Sequence, residues 1–190
     1  MFVYEEDLQA CLAALQKGAI ILYPTDTVWG IGCDATNEAA VAKIFALKKR
    51  TDTKAMIVLV EEEQSILNYV EVAQLQVFDY IKGIHKPTTV IYQKAKNLAK
   101  NLIAADASVA IRITKDVFCK TIIKQLGKPI VSTSANLSGY PTPMCFRDIS
   151  LDIIEGVDYV VKHRQDETEL AQPSSIVKWD HEGNLIIIRP

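Results

Sequence analysis

A single α/β domain built on a mixed sheet is what this chain predicts, and three observations carry that expectation. Apolar runs of strand length alternate with stretches whose apolar residues recur every three or four positions. Proline, glycine and small polar residues punctuate the boundaries between them. With 190 residues and 49% hydrophobic content, the chain can bury one generous core, so residues 1–190 read as one unit. No internal repeat, low-complexity stretch or linker divides it.

The first helix is expected over 7–17, where Leu8, Cys11, Leu12 and Leu15 share a face and Gly18 closes the run. Residues 19–23 read as a buried strand that stops at Pro24, which cannot donate to a sheet ladder. After it comes a loop, Thr25-Asp26-Thr27-Val28-Trp29-Gly30-Ile31-Gly32, with two hydroxyls, a carboxylate, an aromatic and two glycines. Gly30 and Gly32 permit positive φ and a close approach of backbone N–H groups to a ligand. An ordinary strand-to-helix turn would use the same residues. Asn37 is placed to cap a helix over 38–48, with Val41, Ile44, Phe45 and Lys48 on one side.

Further along, Met56 to Val60 reads as a strand and helical stretches fill most of 63–84. Thr88–Tyr92 and Val109–Ile113 read as strands joined by a polar loop. Asp116–Leu126 is helical, closed by Gly127, and Pro129–Thr133 is a short strand. Three more strands are expected near 158–162, 174–178 and 185–189. The charged segment His163–Gln172 reads as a surface loop in which nothing demands burial. Strands of both orientations in this pattern give two or three layers around a mixed sheet.

Composition narrows the function classes. A net charge of −2 disfavours a dedicated nucleic-acid binder, though a local basic pocket is compatible with it. No apolar run reaches the length of a membrane span, and the first residues lack the pattern of a secretion signal. Cys11, Cys33, Cys119 and Cys145 are dispersed and read as mostly buried thiols of a reducing cytoplasm. His85, His163 and His181 are solitary, so no metal site is expected.

Two more segments carry chemistry. Lys48-Lys49-Arg50-Thr51-Asp52-Thr53-Lys54 places four cations in seven residues. They suit a phosphate or carboxylate. They would also complement a helix C-terminus, for about 0.3–1 kcal/mol each. Ser132-Thr133-Ser134-Ala135-Asn136-Leu137-Ser138-Gly139 follows an apolar strand. Its hydroxyls and amides either satisfy a turn locally or offer neutral donors and acceptors to a nucleotide. There is no P-loop, no G-x-G-x-x-G and no G-x-S-x-G elbow.

In this order and spacing, the segments resemble the YrdC/Sua5 family, the threonylcarbamoyl-AMP synthases of tRNA modification. Tyr23–Gly32 is similar to the family's opening signature, with Trp29 where Tyr is commoner. Lys48-x-Arg50 and Ser134-x-Asn136 match its K-x-R/S-x-N set, and Lys54 falls on a following lysine. Thr89, Arg112, Ser174-Ser175-Ile176-Val177 and Arg189-Pro190 match later motifs. Departures occur too: Lys49, Thr51 and Ala55 stand where Gly, Pro and Pro are common, His85-Lys86-Pro87 replaces P-G-P, and Thr114 replaces a proline.

The resemblance implies a twisted mixed sheet flanked by helices, with a concave, positively charged pocket, in a short form lacking the extra C-terminal domain. It implies joining of L-threonine, bicarbonate or CO₂, and ATP with release of pyrophosphate, for N6-threonylcarbamoyladenosine at tRNA position 37. Lys48, Arg50, Ser134 and Asn136 would be catalytic. Thr25, Thr27, Trp29, Lys54 and Arg112 would hold threonine and bicarbonate. Lys48, Arg50, Thr89, Ser134, Asn136, Ser175 and Arg189 would hold the nucleotide. Mg²⁺ would enter with ATP, a threonylcarbamoyl transferase complex would act downstream, weak RNA binding is compatible, and no membrane is involved. The alternatives are a non-catalytic RNA- or nucleotide-binding module, a carbamoyl-adenylate-forming domain like that in hydrogenase maturation proteins, and a regulatory paralogue.

Overall fold

The computed structural model describes residues 4–49, 56–71, 75–180 and 182–190. Among these residues, nine strands form one mixed sheet in the order β7-β1-β2-β6-β3-β5-β4-β8-β9. They are β1 Ile21–Tyr23, β2 Gly30–Gly32, β3 Ile57–Val60, β4 Thr88–Tyr92, β5 Val109–Ile113, β6 Ile130–Ser134, β7 Tyr159–Val160, β8 Ser175–Trp179 and β9 Leu185–Arg189. The pairs β1–β7, β3–β5 and β4–β8 are parallel and the other neighbours antiparallel. Among the described residues, five α-helices accompany the sheet: α1 Glu5–Gln16, α2 Glu38–Leu47, α3 Leu75–Lys82, α4 Val117–Leu126 and α5 Leu151–Gly156. Helix α1 packs on α4, β1 and β7, and α4 also meets β3.

The capped helices form where the sequence places them. The Asn37 side chain accepts from the Ala40 N–H at 3.1 Å to start α2, and Asp116 accepts from the Cys119 N–H at 2.8 Å to start α4. Gly127 ends α4 in the left-handed conformation. Within 63–84, the described residues include a 3₁₀ turn at Gln64–Asn68 and α3. Helix α5 was not expected, because its six residues are too few to show a period. Cys11, Cys33 and Cys119 are buried and Cys145 is partly exposed. Burial pushes the Cys11 thiol up to about 12, and the nearby Asp7 charge adds to it. No helix among the described residues is long and apolar enough to cross a membrane.

One element corrects the sequence reading. The glycine segment is not a loop running into a helix: Gly30–Gly32 is strand β2, forming a hairpin with β1 and pairing with β6 on its other side. Neither glycine has positive φ. Gly32 is needed for space, since a Cβ there would lie 2.5 Å from Tyr23 Cε1 and 2.5 Å from the Val131 carbonyl oxygen. Tyr23 is fully buried and donates its hydroxyl to that carbonyl at 2.9 Å. The hairpin therefore closes over a ring that only a glycine admits.

At the end of α2, Lys48 closes the helix and Lys49 follows with φ +50°, in the left-handed region. The matching motif of the resembled family has glycine at this position, the residue that enters this region without strain.

Two substitutions test this account in opposite directions by urea denaturation. Gly32→Ala should destabilise the fold by about 2–3 kcal/mol through overpacking against Tyr23 and Val131. Lys49→Gly should stabilise it by about 0.5–1 kcal/mol, the left-handed strain outweighing the added chain entropy. Unchanged midpoints in both would contradict the packing and the strain described.

Candidate active site

The strand registers put Gly30, Ser134, Ser132, Ile57, Ala110, Arg112, Ile91, Ile176 and Arg189 on one face of the sheet. A cavity of about 610 Å³ opens on that face, spanning β2, β6, β3, β5, β4, β8 and β9. Its lining is apolar where Met56, Ile57, Ile91 and Ile176 contribute, and polar at Thr27, Ser132, Ser134, Asn136 and Ser174. The charged lining residues among those described are Lys48, Arg112 and Arg189. Such a mixture, mostly apolar with a few converging polar groups, is what small-molecule sites use.

Lys48 is only 3% exposed. Its ammonium donates to the carbonyls of Ser134 and Asn136, and its own carbonyl accepts from the Ser138 N–H at 2.9 Å. The residue thus ties the end of α2 to the bend that follows β6, as well as lining the cavity. Arg50 and Lys54, expected to act beside it, lie outside the described residues.

Asn136 donates through Nδ2 to the carbonyls of Tyr140 at 2.7 Å and Leu137 at 3.0 Å, which fixes its amide. Its Oδ1 is buried and has no hydrogen-bond partner among the described residues. The same holds for Nε of Arg112, which is 2% exposed. Buried polar atoms are nearly always satisfied, so these two are the groups a bound molecule would satisfy.

Arg112 is held by Asp26, its Nη2 donating to Oδ1 at 3.1 Å, while the Lys115 N–H donates to Oδ2 at 2.9 Å. On the C-terminal side, Arg189 donates Nε to the Ser174 carbonyl at 2.9 Å and Nη2 to Ser174 Oγ at 3.3 Å. Partial burial, and then repulsion from Arg112, lower the pKa of Arg189. Two guanidinium groups that repel each other at one cavity suit an anionic ligand.

The Thr25–Trp29 loop forms a wall. Thr25 Oγ1 donates to the Val28 carbonyl at 2.9 Å and accepts from the Thr27 N–H at 3.0 Å. A hydroxyl has one hydrogen, so in its 2.9 Å contact with Thr27 Oγ1 it must be the Thr27 hydroxyl that donates. Thr27 Oγ1 then faces further partners only as an acceptor. Trp29 packs on Phe146 with ring centroids 4.8 Å apart and lines both the main cavity and a neighbouring one of about 220 Å³.

Several expected site residues fall elsewhere. Thr25 is buried and does not line the main cavity; its hydroxyl holds the loop. Thr89 shares the face of Ile91 and Ile176 but is fully buried, does not line the cavity and is hydrogen-bonded to Ser174 Oγ at 2.8 Å. Ser175 is opposite Thr88 in the ladder and so faces the other side of the sheet from Ile176. Ser174 lines the cavity in its place. That alternation was available from the strand's period, but not which phase it takes.

Comparison with known proteins places the chain in a family. The Sua5/YciO/YrdC family, described as telomere recombination, matches residues 13–190. A threonylcarbamoyl-AMP synthase of Pseudoalteromonas translucida is 32% identical over 160 residues, covering 83% of this chain and 86% of that protein. One of Photobacterium profundum is 37% identical over 142 residues, covering 72% and 75%. Among solved structures, P. abyssi Sua5 complexed with L-threonine superposes with a TM-score of 0.86 at 20% identity. It covers all of this chain (100%), which spans 55% of the Sua5 chain. E. coli YciO superposes with a TM-score of 0.82 at 18% identity, covering 97% of this chain and 88% of its own. At such identities the superpositions establish the fold, while the sequence matches establish kinship: the chain belongs to the Sua5/YciO/YrdC family.

Proposed function

We propose that the protein is an L-threonylcarbamoyladenylate synthase. The observation that carries this reading is the meeting of Lys48, Arg112, Ser134, Asn136, Arg189 and Thr27 on one cavity, from five separate parts of the chain. The relatives bearing the name of that synthase, and the L-threonine complex of P. abyssi Sua5, indicate what such a cavity takes.

The chemistry fits the residues. The amine of threonine is first carboxylated to a carbamate, whose oxygen then attacks the α-phosphorus of ATP as pyrophosphate leaves. Carbamate and triphosphate are both anionic, so orientation and charge neutralisation dominate, with no covalent enzyme intermediate required. Arg112 and Arg189 face the negative charge, and the neutral Ser134 hydroxyl can contact it without repulsion. Thr27 Oγ1, left as an acceptor, suits the N–H groups of the amino acid. Lys48 holds the Ser134–Asn136 bend and adds its charge from beneath. The lining contains no Asp or Glu among the described residues. Mg²⁺ is therefore assigned to the MgATP substrate, carried on phosphate oxygens. The product would pass, in the cytoplasm, to an enzyme that transfers the threonylcarbamoyl group to tRNA.

Pyrophosphate release from MgATP and bicarbonate is the test, with L-threonine present, absent or replaced by L-serine. Release that requires both L-threonine and bicarbonate is the expected result; folded protein without threonine-dependent release would refute the proposal. Ser134→Ala should lower the rate about 10- to 100-fold with little change in melting temperature, since its hydroxyl acts on ligand rather than on the fold. Lys48→Ala should lower both, because it strips the donor from two backbone carbonyls.

A further inference from the structure

The segment His163–Gln172, read from its charges as a plain surface loop, carries an arginine tied into the fold. Arg164 adopts φ +70°, a left-handed conformation that a non-glycine residue keeps only when its surroundings fix it. Its guanidinium is only partly exposed and meets acceptors on three residues. Nη1 donates to Asp116 Oδ2 at 3.0 Å and to the Thr25 carbonyl at 3.2 Å, and Nε lies 2.7 and 2.8 Å from the two Glu167 oxygens. Asp116 is itself fixed as the N-cap of α4. The arginine therefore connects a rigid helix start to the backbone of the cavity wall.

Thr25 is the residue whose hydroxyl organises Thr27 and Val28. Its neighbour Asp26 is anchored from the cavity side by Arg112. Arg164 anchors the same turn from the outer side, across the smaller cavity that it lines with Glu167, Thr27 and Trp29. Without the outer anchor, Asp26 keeps its bonds to Arg112 and the Lys115 N–H, but the Thr25 carbonyl loses its charged donor, which loosens the part of the turn that carries the Thr27 hydroxyl.

We propose that Arg164 is a positioning residue for the amino-acid substrate: it sets the Thr25–Trp29 wall, and through Thr27 it sets the affinity for L-threonine. This rests on the synthase reading above. The nucleotide end of the cavity, at Ser174 and Arg189, shares no hydrogen bond with Arg164, so ATP affinity should not follow.

Steady-state pyrophosphate release on wild type, Arg164→Lys and Arg164→Ala, with melting temperatures measured alongside, separates the outcomes. The expected result is a rise of about tenfold in the KM for L-threonine in Arg164→Ala, with the KM for ATP and kcat each within about twofold. Arg164→Lys, which keeps one cationic donor, should fall between Arg164→Ala and wild type. Equal rises in both KM values, or a loss of kcat alone, would overturn the positioning role, as would an unchanged KM for threonine. If Arg164→Ala does not fold, Arg164→Lys alone decides by the same two KM values. Wild-type protein lacking threonine-dependent release would instead remove the synthase reading itself.

Discussion

A buried positive charge organises this molecule's working face. The Lys48 ammonium lies beneath the bend that follows β6 and donates to the Ser134 and Asn136 carbonyls. A desolvated ammonium is costly unless it is hydrogen-bonded, and two carbonyl oxygens accept from it here. The same residue's carbonyl receives the Ser138 N–H, so side chain and backbone grip the bend together. Helix α2 ends at Leu47 with this lysine as its C-cap, and Lys49 beside it bears a left-handed φ. Ser134 and the orphaned Asn136 oxygen are placed by that grip rather than by the strand alone.

How far this was legible in the sequence follows from where burial is two-sided and where it is not. Strands β4 and β5 showed themselves as apolar runs because both are buried in mid-sheet, and their bounds were found to the residue. The cap Asn37 was legible because its chemistry is local, whereas Asp116, read as the first residue of its helix, is the N-cap of α4. Strand β2 was not, since Gly-Ile-Gly has no alternation to read; its pairing is dictated by Tyr23, met only once the hairpin closes. Motif spacing found Lys48, Arg112, Ser134, Asn136 and Arg189, which do line one cavity. It could not tell lining from support: Thr25 and Thr89 sit among the motifs yet hold other side chains in place. Arg164 gave no signal, because a partly buried arginine and a solvated one look alike in a charged stretch.

The division of labour between charge and neutral groups explains why the loop needs anchors on both sides. Arg112 faces the cavity, but much of its charge is balanced by Asp26, which belongs to the very turn that carries Thr27. A ligand anion drawing on Arg112 would compete with Asp26 and loosen the turn, unless something else held it. The Lys115 N–H on the second Asp26 oxygen and Arg164 on the Thr25 carbonyl are that hold. Each pulls from outside the cavity, so Arg112 can share its unpartnered Nε edge with a ligand while the wall stays put. Electrostatic preorganisation in this fold is then a property of paired charges at the back of the loop, with neutral hydroxyls presented at its front.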